Sequence, residues 1–417
     1  MIKRFSAIYH DFPRTFWVVV GASFIDRVGG TLLFPFFSLY ITQKFNVGMT
    51  RAGIVLGIFS AFGLIGSMIG GALTDKFGRK NLILFGLVFS ALSTLSLGFV
   101  NELVVLYPLA VVIGLLSNIA GPAHQAMVAD LLPEEKRQEG FGILRVVANM
   151  SWIIGPTIGG FIANRSYFLL FVLDAVISCL VAVIFFFYIP ETKPETSEAP
   201  ESMLKTFAGY GVVLQDLAYV GFLLASMLMG VVYQQMYNTL SVYLRDNHGI
   251  SPQGYGFLLT TSAITVILFQ FQTTRRIKKY PAFVMMATGT FFYMIGFGMF
   301  GFVTVYWLFA LAIVIITIGE MVIMPTAQAL AANFAPEAMR GRYMAVFGVS
   351  WALPATVGPS AAGLILDNFN PNLLWYIGAG LCAVSVLSFY ALHLRLGSQD
   401  RFSGAEQEAP AEAALPG

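Results

Sequence analysis

The chain has 417 residues, of which 57% are hydrophobic and only 11% charged, and its formal net charge is +2. A mean hydropathy of +0.76 excludes a soluble globule and a disordered chain. The near-neutral balance gives no reason to expect a nucleic-acid partner. Cys179 and Cys382 both lie inside apolar runs and read as small packing residues, without a disulfide framework or a metal site.

About twelve apolar runs approach the twenty residues that a bilayer requires. In chain order the expected helices cover 16–41, 52–73, 80–100, 103–129, 139–163, 167–189, 217–244, 253–273, 282–303, 305–332, 339–366 and 372–394. The first follows a short polar segment, Met1 to Thr15, with no small-residue cleavage site after it. It therefore reads as a retained helix and not as a signal peptide. Lys and Arg cluster in alternate connections: Arg79, Lys80, Lys136, Arg137, Lys278, Lys279, Arg340 and Arg342 fall on one side, while the other holds only Lys44, Arg51, Arg165 and Arg245. The side rich in cations is cytoplasmic, which places both termini there.

Between the sixth and seventh expected helices the stretch from Pro190 to Glu201 is polar, acidic and rich in proline, a linker that cannot build a core. It separates two halves that match at one offset. Pro325 lies 203 residues after Pro122 (325 − 122), and at that spacing Ser38 meets Ser241, Gly53 meets Gly256, Gln125 meets Gln328, Gly155-Pro156 meets Gly358-Pro359, and Cys179 meets Cys382. Apolar similarity alone would not hold glycines, prolines and polar residues in one register. The fold expected is an all-α integral membrane protein with 12 transmembrane helices, built as two pseudo-symmetric six-helix bundles. The bundles are residues 1–189 and 217–396, joined by a cytoplasmic linker, 190–216, and followed by a disordered cytoplasmic tail, 397–417.

Ionisable groups inside such helices are costly in lipid and become functional candidates. They are Asp26, Arg27, Arg145, Asp174 and Glu320. Glu320 leads, because it lies mid-helix ahead of Pro325, which cannot donate to the Met321 carbonyl and should bend the helix. A poorly solvated carboxylate can exchange a proton near neutral pH. Its structural alternative is a protonated side chain bonded to a neighbouring helix. Asp26 and Arg27 are neighbours whose side chains diverge by about 100°, so they are not expected to face one partner. One should line a cavity and the other pair elsewhere, with Asp174 or Glu320. Asp174 and Arg145 read as structural. The run Tyr233-Gln234-Gln235-Met236-Tyr237-Asn238 is unusually polar for its depth. Tyr233 and Tyr237 share a face, Gln234 and Asn238 form an adjacent stripe, and the segment is expected to be bent and to line a wet cavity. Asn118 and Met324 are further cavity candidates; His124 is a weaker one, since a lone histidine beside Pro122 reads first as a packed, hydrogen-bonded side chain.

Gly71-Ala72-Leu73-Thr74-Asp75-Lys76-Phe77-Gly78-Arg79-Lys80 fills every position of the G-x-L-x-D-x-x-G-R-K signature between helices 2 and 3 of the major facilitator superfamily, and the chain resembles that family over nearly its whole length. The resemblance implies a cytoplasmic latch made by Gly71, Asp75, Gly78, Arg79, Lys80 and Asp130, with Arg79 meeting Asp130 and Asp75 facing the start of helix 11. Gly142, Gly155, Pro156, Gly159 and Gly160 resemble the helix 5 motif of the superfamily's drug:proton antiporters, with Ser151 where a further glycine is usual. The exporters' helix 4 arginine is replaced here by Ala110, so Asp26, Arg27 and Glu320 would carry proton coupling.

The function expected is a proton-coupled exporter of small hydrophobic compounds, cationic ones included, working by alternating access in the cell membrane. No cofactor beyond the proton gradient is expected, and a monomer should suffice. A proton symporter, a lipid translocator and a non-transporting sensor are the alternatives. No nucleotide-binding loop, metal spacing or nucleophile elbow points to an enzyme.

Overall fold

A computed structural model describes residues 11–193, 211–336 and 339–397. Among these residues there is no strand, and twelve helices are long and apolar enough to cross a bilayer. They are α1 (Arg14–Lys44), α2 (Met49–Phe77), α3 (Arg79–Phe99), α4 (Leu103–Leu131), α5 (Glu134–Ala163), α6 (Tyr167–Tyr188), α7 (Leu217–Asn238), α8 (Pro252–Ile277), α9 (Ala282–Met299), α10 (Tyr306–Phe334), α11 (Arg340–Asn368) and α12 (Leu373–Leu396). Three are interrupted. A 3-10 turn at Phe34–Phe36 breaks α1, α4 breaks after Ser117, and α7 breaks at Thr239 before continuing as Leu240–His248. The α7 break falls one residue past the polar run in which a bend was expected.

The described residues divide into two compact units. The first takes the described parts of Met1–Glu201 with Tyr233–Ile264 and Ala352–Leu374; the second takes those of Ser202–Val232, Thr265–Trp351 and Trp375–Gly417. The sequence halves and the compact units thus differ, because one end of α7, α8 and α11 clusters with the first half. Residues 1–10, 194–210 and 398–417, including most of the expected linker and tail, lie outside the described residues.

In the first unit α1 packs along α5 and α6, α2 along α4, and α3 along α6. Phe16, Val19, Leu87, Met127, Val181 and Phe185 form part of its buried core. On α6, Val176, Leu180, Val183 and Phe187 are exposed, an apolar face suited to lipid. Lipid removes the hydrophobic drive between helices, so close packing and buried hydrogen bonds must hold them. Ser151 shows this. Fully buried, it accepts a hydrogen bond from Thr31 Oγ1 at its carbonyl (3.0 Å), while its own hydroxyl donates to the Val147 carbonyl (3.0 Å). The serine that departs from the antiporter motif is therefore a satisfied part of the α1–α5 contact.

The repeat offset reappears as contacts inside the first unit. The hydroxyls of Ser38 and Ser241, 203 residues apart, lie 3.1 Å from each other, and Arg245 Nη1 donates to Thr42 Oγ1 at 2.9 Å across the same offset. Gly53 of α2 lies against the Pro359 carbonyl of α11, and Gly256 of α8 lies against the Pro156 carbonyl of α5. Each backbone approach leaves no room for a Cβ. Pro156 of the helix 5 motif thus receives a glycine from the other half, while Gly155 and Gly159 pack on Thr31 and Leu32 of α1. Gly142 is exposed, and nothing approaches its Cβ direction, so it makes no close helix contact.

In the second unit α9 packs along α10. Tyr219, Phe222, Phe334, Tyr343, Phe347 and Phe389 form an aromatic cluster in which the Tyr219 hydroxyl donates to the Tyr343 carbonyl at 2.6 Å. The Met321 carbonyl, which Pro325 cannot serve, accepts from Gln270 Nε2 of α8 at 3.2 Å. A side chain from another helix supplies the missing donor.

Candidate functional site

A cavity of about 350 Å³ opens within the first unit, between α1, α3, α4 and α6. Ile83, Leu87, Val181 and Phe185 provide apolar wall, and Ser23, Asp26, Arg27, Ser90, Ser117, Asn118, His124 and Gln125 the polar lining. The break in α4 places Ser117 and Asn118 at the rim, both exposed, while Gly86 on α3 abuts Ala120. His124 Nε2 and Ser23 Oγ lie 2.7 Å apart and tie α4 to α1.

Asp26 and Arg27 both line this one cavity, which corrects the expectation that adjacent residues would turn to different partners. Adjacent helical side chains diverge by about 100°, yet both residues contribute to the lining of this one space. Among the described residues neither side chain has a hydrogen-bond or ion-pair partner, although the two charges are close enough to interact. Asp174, one of the expected partners, is buried against Gly29 of α1 and accepts from Thr94 Oγ1 at 2.9 Å. Ser23, Ser90, Ser117 and Gln125 were not singled out as site residues by sequence reasoning; the spacing of Ser117 and His124, about two helical turns, was the available signal.

Other expected site residues lie elsewhere. Tyr233 and Tyr237 share a face as expected, with hydroxyls 3.2 Å apart, and Trp152 of α5 packs on the Tyr237 ring with centroids 4.9 Å apart. Asn238 is buried and donates to the Gln234 carbonyl one turn back, and Gln234 is half-buried. Glu320 and Met324 are half-buried on α10 in the second unit.

At the Gly78 turn, Arg79 Nε lies 3.1 Å from Asp130 Oδ2, the pair that the resemblance implies. Thr192 Oγ1 donates to the same carboxylate oxygen at 3.1 Å. Lys80 Nζ donates to the Phe186 carbonyl at 2.8 Å. The Asp75 side chain lies outside the described residues, and Gly71 has open space around it. The residue that organises the turn was missed. Glu191 accepts from the backbone N–H groups of Arg79 (2.8 Å), Lys80 (3.2 Å), Thr192 (2.9 Å) and Lys193 (3.1 Å). It caps the start of α3, and it belongs to a stretch read from composition as plain linker. Partial burial alone would raise the Glu191 carboxyl, but these four donors outweigh it and hold the group below the usual carboxylate range. Gly78, with φ of +91°, has no space for a side chain, because the Glu191 carboxylate occupies it.

At the other end of α2, Asp367 of α11 caps the helix start. Its two carboxylate oxygens accept from the Met49 and Thr50 backbone N–H groups, each at 2.8 Å. At the related start of α8 the first residue is Pro252, which has no N–H to satisfy.

Twelve membrane-length helices in repeated six-helix halves define a transporter architecture, and comparison with known proteins gives the family. The family model for the Major Facilitator Superfamily matches residues 19–246 and 234–415. The chain belongs to this superfamily, and is a multi-pass membrane transporter and not an enzyme. It is 26% identical over 378 residues to the Na⁺, Li⁺, K⁺/H⁺ antiporter of Planococcus maritimus, covering 84% of this chain and 89% of that protein. To the quinolone resistance protein NorA of Staphylococcus aureus it is 23% identical over 377 residues, covering 89% and 95%. Among solved structures, a POT family transporter in complex with 5-aminolevulinic acid superposes with a TM-score of 0.78 at 16% identity, covering 92% of this chain and 96% of the other. The nucleoside transporter NupG superposes with a TM-score of 0.79 at 12% identity, covering 91% and 100%. These structures share the fold.

Proposed function

We propose that this transporter is a proton-coupled exporter of small hydrophobic compounds, cationic ones among them, that works by alternating access in the cell membrane with both termini cytoplasmic. The observation that carries the reading is the Asp26 carboxylate, set without a bonded partner in a cavity at mid-span of α1. A carboxylate so placed can hold a proton or a cationic substrate, one at the expense of the other. The apolar wall of Leu87, Val181 and Phe185 suits the body of such a compound. Glu320, on α10 of the second unit, is the second coupling residue. Protonation from outside releases the substrate, and loss of the proton inward resets the carrier. Energy comes from the proton gradient, with no cofactor, and one chain suffices. The names of two relatives, an antiporter and a quinolone resistance protein, agree with export in exchange for protons.

The test uses purified protein in liposomes with an imposed pH gradient and an internal pH dye. Lipophilic cations added to the wild type should drive protons in the opposite direction, and Asp26→Asn and Glu320→Gln should each lower that exchange at least tenfold. Co-directional movement would make the protein a symporter. A second reading, exchange of an alkali cation for protons, is favoured by the likeness to the Planococcus antiporter. Na⁺, K⁺ and Li⁺ pulses in the same vesicles test it: proton movement with these salts and none with organic cations would establish it.

A further inference from the structure

We infer that the cavity in the first unit is built for an amphoteric molecule, one carrying a cationic and an anionic group on an apolar body. The inference rests on reading this cavity as substrate-facing, and it narrows the class of substrate.

A site for a simple lipophilic cation needs an acidic group and apolar or aromatic wall, and a guanidinium beside it works against the ligand. Here a carboxylate and a guanidinium line the same space from adjacent positions of α1. Neither has a hydrogen-bond or ion-pair partner among the described residues, although the two charges are close enough to interact. Adjacent helical side chains diverge by about 100°, so the two charges present themselves to a ligand from different directions. A ligand with one charge would meet one favourable and one opposed group. A ligand with two, separated by a short chain, meets both favourably.

The rest of the lining fits the same molecule. Asn118 and Gln125 each offer an amide donor and acceptor, and Ser90 and Ser117 offer hydroxyls, a mixed set that favours neither sign of charge. Ile83, Leu87, Val181 and Phe185 form the wall that would receive the apolar body. Ser23 and His124 are bonded to each other and join α1 to α4 at the cavity wall. At about 350 Å³ the space falls in the range of small-molecule pockets.

The test is a matched set of three fluorescent probes sharing one dansyl body. Nα-dansyl-lysine carries an ammonium and a carboxylate. Dansylcadaverine is the same molecule without the carboxylate, and Nα-dansyl-norleucine the same without the ammonium. Binding is read from dansyl fluorescence on the purified full chain in detergent, at fixed pH and without a gradient. The zwitterion should bind at least about tenfold more tightly than either analogue, as one added charge contact in a partly desolvated site predicts. Arg27→Gln should reduce zwitterion affinity to that of dansylcadaverine, and Asp26→Asn to that of the norleucine probe.

Equal binding of all three probes would mean that Asp26 and Arg27 neutralise each other, and would overturn the inference. So would tightest binding of dansylcadaverine, or an Arg27→Gln variant that binds the zwitterion as the wild type does. The wild-type ranking decides by itself if a variant does not fold. The outcome is separable from that of the liposome assay. Lost proton exchange with an intact ranking removes the coupling reading alone, and intact exchange with a lost ranking removes only the amphoteric ligand.

Discussion

Gly78 and Glu191 form one device made of two residues far apart in sequence. A substituent at Gly78 meets both a strained positive φ and the carboxylate that caps α3. Gly78→Ala should cost about 1–3 kcal/mol, read as a lower unfolding temperature in detergent. Glu191 also gives a pH signature. Its folded carboxyl lies below the usual range, so its stabilisation is present above the ordinary carboxylate pKa and fades as pH falls through the folded value. The difference in unfolding temperature between wild type and Glu191→Gln should therefore be present at pH 7 and shrink to nothing on acidification. The effect should be small, because Glu191 is exposed. The signature made Gly78, Arg79 and Asp130 legible from sequence. Glu191 was not, since its contact spans more than a hundred residues and its own surroundings, proline and acid, are those of a solvated linker. Likewise, the shared cavity of Asp26 and Arg27 could not be read from helical geometry without knowing the width of the space they face.

At the scale of the helix, the sequence announced where regularity would fail but not what repairs it. Pro325 predicted an orphan carbonyl at Met321; Gln270, on a different helix, is what serves it. Gln270→Leu leaves that carbonyl unserved and should cost about 1 kcal/mol, measured by thermal unfolding, and Gln270→Glu, whose carboxylate has no donor, should not restore it. The start of α2 offers a sharper comparison. Asp367→Ala removes two charge-assisted bonds to Met49 and Thr50 and should cost about 1–2 kcal/mol, with faster hydrogen exchange at those two amides. Asn164, the residue 203 positions earlier, faces a repeat in which Pro252 replaces the N–H donor. Asn164→Ala should be close to neutral in the same measurements.

For the whole molecule, the duplication legible in the sequence is also physical contact. Ser38 and Ser241 are copies of one position, and their hydroxyls touch. Cysteines at both, in a chain with Cys179 and Cys382 replaced by alanine, should cross-link on oxidation. The bond would fix α1 to the continuation of α7, and transport in liposomes should stop until a reductant is added. The pattern of glycine contacts is reciprocal as well: Gly53 meets Pro359, and Gly256 meets Pro156. In a symmetric dimer, position i of one subunit meets j of the other while j meets i, and a residue on the axis meets itself. This chain obeys both rules within a single polypeptide. Its first unit therefore contains the isologous interface of a six-helix homodimer, with the two subunits joined end to end. The repeat is not kept at every position: at the same offset Asp26 and Arg27 correspond to Met229 and Gly230, and Glu320 corresponds to Ser117.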